Sequence, residues 1–297
     1  MKPKLYLING ALGAGKTTIL TQLIKTPSFK NARIIENEFA NTSIDTEQFH
    51  DHDARIETIA GLCICCSTGD ELDDALRRLA DAGNEPVVVE ATGMANSLKL
   101  IEKLVVSGVL TRYHLASAIF VIDAAAVAGD SERLLSQYSD EIKAADIVVI
   151  TKADLLDKAT TKAIEDMLVR CGAKKYVSAT MGHFDEGAIT DQSTILDYYV
   201  DHAEGLQNHD SAMNYTVIDT ADIAMDEHAL EARWNTLRQT YQLLRMKGDI
   251  VTKNGSFHVE ATPEQCIVEP STTRNTKLVF IGKDARTMTR DVLEEVL

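Results

Sequence analysis

At 297 residues the chain is long enough for two domains or one large one, and 45% hydrophobic with 25% charged residues is ordinary for a globular protein with a sizeable core. A formal net charge of −15 argues against non-specific nucleic-acid binding, because an acidic surface repels phosphate. The longest apolar stretch, LASAIFVIDAAAVAG, carries Asp123 in its middle and falls short of the roughly 20 residues that span a bilayer, so no membrane partner is expected.

The N-terminus, MKPKLYLING, is basic, but its apolar run is too short for a leader and meets a glycine-rich loop. A cytoplasmic protein with reduced thiols is therefore expected. The run itself, residues 4–9, suits a buried strand. It leads into Gly10-x-x-x-x-Gly15-Lys16-Thr17, the Walker A pattern. Glycines let such a loop turn tightly and bring its N–H groups against phosphate oxygens, a lysine adds charge at the β and γ phosphates, and the hydroxyl that follows can ligate Mg²⁺. The candidate nucleotide contacts here are Gly10, Gly13, Ala14, Gly15, Lys16, Thr17 and Thr18, with a helix predicted over 16–25 whose N-terminus favours the anion further.

A strand predicted at 32–36 precedes GLCICCSTGD, which packs Cys63, Cys65 and Cys66 into four positions. An isolated cysteine reads as a small buried hydrophobe, as Cys171 and Cys266 do here. Cys-x-Cys-Cys between glycines reads instead as a set of soft-metal ligands or a reactive site, and thiolates select ions such as Zn²⁺ over Mg²⁺ or Ca²⁺. The densest histidine cluster, FHDHDA with His50, Asp51, His52 and Asp53, reads as a solvated loop.

Helices are predicted near 68–82, 95–107, 131–144 and 157–171, and strands at 86–90, 115–123, 146–151 and 174–177. EPVVVEATG ends its strand on Glu90, placed to hold the Mg²⁺ shell directly or through water, and Gly93 can offer its N–H to the γ-phosphate. Asp is usual where Glu90 stands. AADIVVITKADLL ends its strand on Thr151-Lys152-Ala153-Asp154, which resembles the guanine signature (Asn/Thr)-Lys-x-Asp. An aspartate there can accept from both the ring N–H and the exocyclic amine of guanine, and the lysine stem can pack over the base. Ser178 and Ala179, in KKYVSAT, resemble the short loop that supports the base.

The combination of NGALGAGKTT, ENEF (36–39) followed by SID, GLCICC, VVVEATGMA and TKADLL resembles the CobW-like GTPases, a family of P-loop metallochaperones. LLRMKGDI and KLVFIG resemble that family's smaller second domain. The resemblance implies a GTPase that binds a transition metal, zinc or cobalt, at the cysteine motif and couples GTP hydrolysis to delivery of the metal to a client protein or metallocofactor pathway. It implies Glu36, in the first switch segment, as a further metal ligand, and Asp45 as the candidate that orients the attacking water. Lys16, Glu90 and Asp45 form the expected catalytic set, and a homodimer is compatible with the resemblance. Two departures stand out. The usual Asn-Glu-Phe-Gly-Glu is here Asn-Glu-Phe-Ala-Asn, so that Asn41 replaces a carboxylate, and the eight histidines form no tract. Alternatives at this level are a GTP-binding metal sensor or scaffold without productive turnover, and a P-loop small-molecule kinase.

Alternating strands and helices predict an α/β fold, a P-loop NTPase-type mostly parallel sheet with helices on both faces, plus a small α+β C-terminal domain. The expected boundaries are 1–205 for the GTPase domain, 206–214 for a polar linker and 215–297 for the second domain. Within the latter, NYTVIDTADIAMDEHALEARWNTL reads as a strand and a helix, GSFHVEAT and TKLVFIGKD as strands, and ARTMTRDVLEEVL as a closing helix.

Overall fold

The computed structural model describes residues 2–38, 55–60, 69–91, 97–129, 137–198, 201, 214–221, 223, 226–272 and 276–296. The chain divides into two compact units, one of residues 1–100 with 112–195, the other of 101–111 with 196–297. Among the described residues no helix is long and apolar enough to cross a membrane.

In the first unit the elements run β1 (Lys4–Gly10), α1 (Lys16–Leu23), β2 (Arg33–Glu38), β3 (Arg55–Ala60), α2 (Gly69–Ala82), β4 (Val87–Glu90), α3 (Ser97–Val106, assigned to the second unit from residue 101), β5 (His114–Asp123), α4 (Ala124–Gly129), α5 (Ser139–Ala144), β6 (Ile147–Thr151), α6 (Lys158–Arg170) and β7 (Tyr176–Ser178). Seven strands form one sheet in the order β3-β2-β4-β1-β5-β6-β7, with every pairing parallel. Parallel strands covered on both faces need apolar residues at every position rather than at alternate ones. The strands supply them. Ile119, Val121, Ile147 and Val149 pack with Ile19, Leu20 and Leu23 of α1. Their neighbours Phe120, Ile122, Val148 and Ile150 pack with Ile142 of α5 and Ile164 and Leu168 of α6. The chain crosses over on both sides of β1, so the crevice beyond the carboxyl ends of β1, β4 and β5 is the topological switch point where ligands bind in such sheets.

The second unit holds β8 (Tyr215–Asp219), α7 (Glu227–Thr240), β9 (Leu243–Thr252), β10 (Gly255–Ala261), β11 (Cys266–Ser271), β12 (Lys277–Gly282) and α8 (Arg290–Val296). Its antiparallel sheet has the order β11-β10-β9-β12-β8. One face packs Met246, Ile250, Val259, Leu278 and Phe280 against Leu230, Trp234 and Leu237 of α7, and the Trp234 indole N–H donates to Thr262 O at 2.6 Å. The other face is charged and paired. Arg245 sits 2.5 Å from Asp197, Lys247 2.9 Å from Asp201, and His258 2.9 Å from Asp249. Gly248 brings β9 and β12 close together, since a Cβ there would lie 2.0 Å from Lys277 O. Cys266 packs at the rim of this core, and burial with the nearby Glu231 carboxylate pushes its thiol up to about 11, which suits packing rather than reactivity.

The predicted strands and helices match with ends shifted by a residue or two, with some exceptions. The expected helix over 131–144 is, in its described part, only α5 at Ser139–Ala144, while α4 runs directly out of β5 through AAAVAG. Strands β3, β9 and β11 were not predicted as such. RIETIA, at the edge of the sheet, and LLRMKGDIVT carry charges at alternate positions, which hides a strand from a search for apolar runs.

Two buried carboxylates in the first unit behave oppositely. Asp146, 3% exposed, accepts from Ala118 N (2.7 Å), Ser193 Oγ (2.6 Å), Thr194 N (2.7 Å) and Thr194 Oγ1 (2.8 Å), and ties the segment after β7 to the start of β6. Glu141, 8% exposed, accepts from Ser97 N at 3.0 Å, and the Ser97 hydroxyl accepts from Asn9 Nδ2 at 2.7 Å. Glu141 lines a small pocket of about 10 Å³ with Leu7, Ile119 and Phe120, and its Oε2 has no hydrogen-bond partner among the described residues. Burial pushes its carboxyl above the ordinary glutamate value, against the hydrogen bonds from Ser97 and Asn9. The folded state therefore holds this proton more tightly than the unfolded chain, and stability is lost as pH rises from 4.5 through the raised value. Glu141→Gln, which removes the buried charge, should be more stable than wild type near neutral pH. Urea titrations over a pH series should show the advantage shrinking toward acid pH, where the wild-type carboxyl is already neutral.

Candidate functional site

β1 ends at Gly10, where the chain turns away from β5. A Cβ at this position would lie 2.2 Å from Val121 O, and the backbone has φ +152°, so glycine is required on both counts. The loop continues to Gly15, which holds a left-handed conformation (φ 89°) at the N-cap of α1 and makes no side-chain cap hydrogen bond. The first turn of α1 contains no acidic residue. Among the described residues its N–H groups thus have no side-chain cap at the N-cap position and no acid within the helix's own first turn, an arrangement that takes an anion.

Lys16 closes the loop from within. It is only 7% exposed, and its ammonium donates to Gly10 O at 3.0 Å and Ala11 O at 3.1 Å. Burial lowers its pKa, and the Glu90 carboxylate only partly opposes the shift. A cation kept in so dry a place is poised to gain from a second, stronger anion. One residue on, the Thr17 hydroxyl donates to Glu90 Oε1 at 2.9 Å. Glu90 is the last residue of β4 and lies in register with Ile8 on one side and Glu36 on the other. The hydroxyl and the carboxylate are adjacent hard oxygen donors, the ligand type that Mg²⁺ takes, so this pair fits the ion.

The Thr-Lys-x-Asp segment is tied to the same loop. Thr151, the last residue of β6 and 6% exposed, places its hydroxyl 2.7 Å from Ala14 O and 3.0 Å from Ile122 O, its single proton shared between the two carbonyls. Lys152 follows in a left-handed conformation (φ 57°), and its ammonium donates to Gly13 O at 3.0 Å and to Asp123 Oδ2 at 2.5 Å. Asp154 lies exposed in the turn Ala153–Leu155. Ser178 ends β7 exposed, and the buried Ala179 continues the ladder through N–H to Ile150 O at 2.7 Å. Gly182, just beyond, approaches α1 so closely that a Cβ would meet Thr18 O at 2.7 Å.

Gly10, Gly13, Ala14, Gly15, Lys16, Thr17, Thr18, Glu90, Thr151, Lys152, Asp154, Ser178 and Ala179 therefore all occur at the carboxyl-end edge of one parallel sheet. Glu36 is described only by its backbone in β2, and Asp45, Cys63, Cys65, Cys66, Gly93 and the His50–Asp53 cluster lie outside the described residues. Among the described residues no group of three His, Cys, Asp or Glu side chains is placed to hold a metal ion. β3, the strand that leads toward the cysteines, ends at Ala60 in register with Glu38. Two participants escaped the sequence reading. Asp123 ends β5 as Glu90 ends β4, and an acid at a strand's carboxyl end was the signal that could have found it. Asn9, joined to Ser97, carries no such signal.

Residues 4–178 match the family description CobW/HypB/UreG, nucleotide-binding domain. Among similar proteins is the zinc chaperone YjiA of Escherichia coli (strain K12), 32% identical over 190 residues, covering 62% of this chain and 59% of YjiA. The zinc chaperone CobW of Sinorhizobium sp is 24% identical over 283 residues, covering 82% of this chain and 79% of that protein. The match to YjiA thus spans about three fifths of that protein's length. In fold, the chain resembles the crystal structure of the Zn(II)-bound YjiA GTPase from E. coli with a TM-score of 0.51 at 20% identity over the whole of both chains. With the family match running through more than half of its residues, from the first strand of the parallel sheet to the last, this protein belongs to the CobW/HypB/UreG family.

Proposed function

We infer that this protein is a GTP-hydrolysing metallochaperone that carries a transition metal, zinc or cobalt, and delivers it to a client protein or metallocofactor pathway. The observation that carries the reading is the single loop on which three functions converge. The carbonyls of Gly10 and Ala11 hold Lys16, the carbonyls of Ala14 and Gly13 hold the guanine-motif residues Thr151 and Lys152, and Thr17 meets Glu90 one residue after Lys16. YjiA, the relative with the highest identity quoted above, is a zinc chaperone and a GTPase, which supports extending the same chemistry to this chain.

In this reading, phosphate oxygens replace the two loop carbonyls at the Lys16 ammonium, and the N-terminus of α1 shares the charge. Thr17 and Glu90 would hold Mg²⁺, Glu90 directly or through water, and the ion would supply positive charge at the triphosphate. Asp154 accepts from guanine, the Lys152 stem covers its face, and Ser178 and Ala179 support its edge. Gly93 reads the γ-phosphate and Asp45 orients water. Cys63, Cys65 and Cys66 hold the cargo metal with Glu36, whose strand position beside Glu90 supports a link between metal and nucleotide. The division into residues 1–205, a linker at 206–214 and a second domain at 215–297, a cytoplasmic location and a homodimer belong to the same proposal.

Lys16→Ala should weaken GTP binding about 10- to 100-fold, the scale of charged hydrogen bonds lost with the ammonium, as read by titration calorimetry. Retained affinity would refute the phosphate-loop assignment. For the cargo, elemental analysis of reduced protein after zinc loading should show bound metal in wild type and a clear loss in Cys65→Ser and Cys66→Ser, since serine offers no soft thiolate. Metal content unchanged by both substitutions would remove the cysteine motif from the reading.

A further inference from the structure

The guanine signature contains a lysine whose role toward the base is that of a stem rather than a charge, and a lysine stem on its own is poorly suited to a fixed surface. It has four carbons and several rotamers, and ordering it on binding costs affinity. In this chain the stem is already ordered. The Lys152 ammonium is held at 3.0 Å by Gly13 O and at 2.5 Å by Asp123 Oδ2. The carboxylate is itself fixed, because its other oxygen accepts from Ala125 N at 2.9 Å and Ala126 N at 3.2 Å at the start of α4. One oxygen is thus committed to the backbone and the other to the lysine. The Asp123 side chain is 16% exposed while that of Lys152 is 42% exposed, so the clasp is built from the protein side and leaves the lysine accessible to a ligand. An ion pair with one partner this exposed adds little to stability. What it does is restrict the stem.

We propose that Asp123 is a positioning residue for the purine, clasping Lys152 so that its stem lies as a ready-made shelf for the base beside the phosphate loop. The proposal rests on the reading of this site as a nucleotide site and deepens it. Asp123 touches neither nucleotide nor phosphate in this account and acts only through Lys152.

The test uses the full chain, titrated calorimetrically with GTP and with tripolyphosphate, which fills the phosphate loop but carries no base. Asp123→Asn keeps an oxygen to cap α4 and loses the carboxylate opposite the ammonium. It should weaken GTP about tenfold, the scale of leaving one long side chain to be ordered on binding, and leave tripolyphosphate within about twofold of wild type. In a Lys152→Met background the same change should alter GTP affinity by no more than about twofold, because the residue through which Asp123 acts is gone. Asp123→Ser, which also caps a helix, should repeat the pattern and decides the matter if the asparagine variant does not fold. Equal weakening of GTP and tripolyphosphate, or full additivity of the Asp123 and Lys152 substitutions, would overturn the proposal. If wild type binds ATP as tightly as GTP, the guanine reading fails, while the same four proteins titrated with ATP still decide the clasp, since a shelf serves any purine. Failure to bind either triphosphate overturns both.

Discussion

A lysine ammonium almost closed off from water, resting on two carbonyl oxygens of its own loop, is the interaction on which the rest of this structure depends. Burial there disfavours charge, and the one carboxylate nearby offsets the penalty only in part. The loop would avoid the problem with a shorter or neutral residue. It keeps the cation because the helix behind it and the hydroxyl after it make sense only around a still larger negative charge. The neighbouring elements are arranged accordingly: β4 delivers Glu90 to Thr17, and β6 delivers Thr151 and Lys152 to the carbonyls on the far side of the loop.

The sheet makes this convergence possible by separating two tasks. Residues within the strands are apolar at successive positions and bind helices on both faces. The residues that end the strands are polar and serve the site: Glu90 accepts from Thr17, Thr151 meets the Ala14 carbonyl of the loop, and Asp123 holds Lys152. A substitution in the middle of β5 or β6 is therefore felt as packing, whereas one at the last residue is felt as chemistry.

How far the chain could be read without its structure follows the same line. β1, β5 and β6 announce themselves as unbroken apolar runs because both their faces are covered, and the Walker A and Thr-Lys-x-Asp motifs fall at their ends, where side chains of fixed type are needed. β9 was hidden because Arg245, Lys247 and Asp249 alternate along it, and the carboxylates that pair with its two cations, Asp197 and Asp201, come from far earlier in the chain. No local pattern specifies a partner some fifty residues away. Thr151 illustrates a subtler limit. The sequence places it as the first residue of the Thr-Lys-x-Asp signature, and only the structure shows its hydroxyl set against the Ala14 and Ile122 carbonyls. Asp123 was visible only as a charge that interrupts a hydrophobic run, and its grip on Lys152 emerges only once β5 and β6 lie side by side.

The near contact of Gly10 with the Val121 carbonyl has a temporal meaning as well as a spatial one. β1 lies between β4 and β5, both of which follow it far along the chain, so its two ladders are long-range contacts that close late in folding. Until the segment that ends at Asp123 has paired with it, the loop after β1 has no floor to turn against. The shape of the loop is thus completed by the folding of the sheet rather than ahead of it.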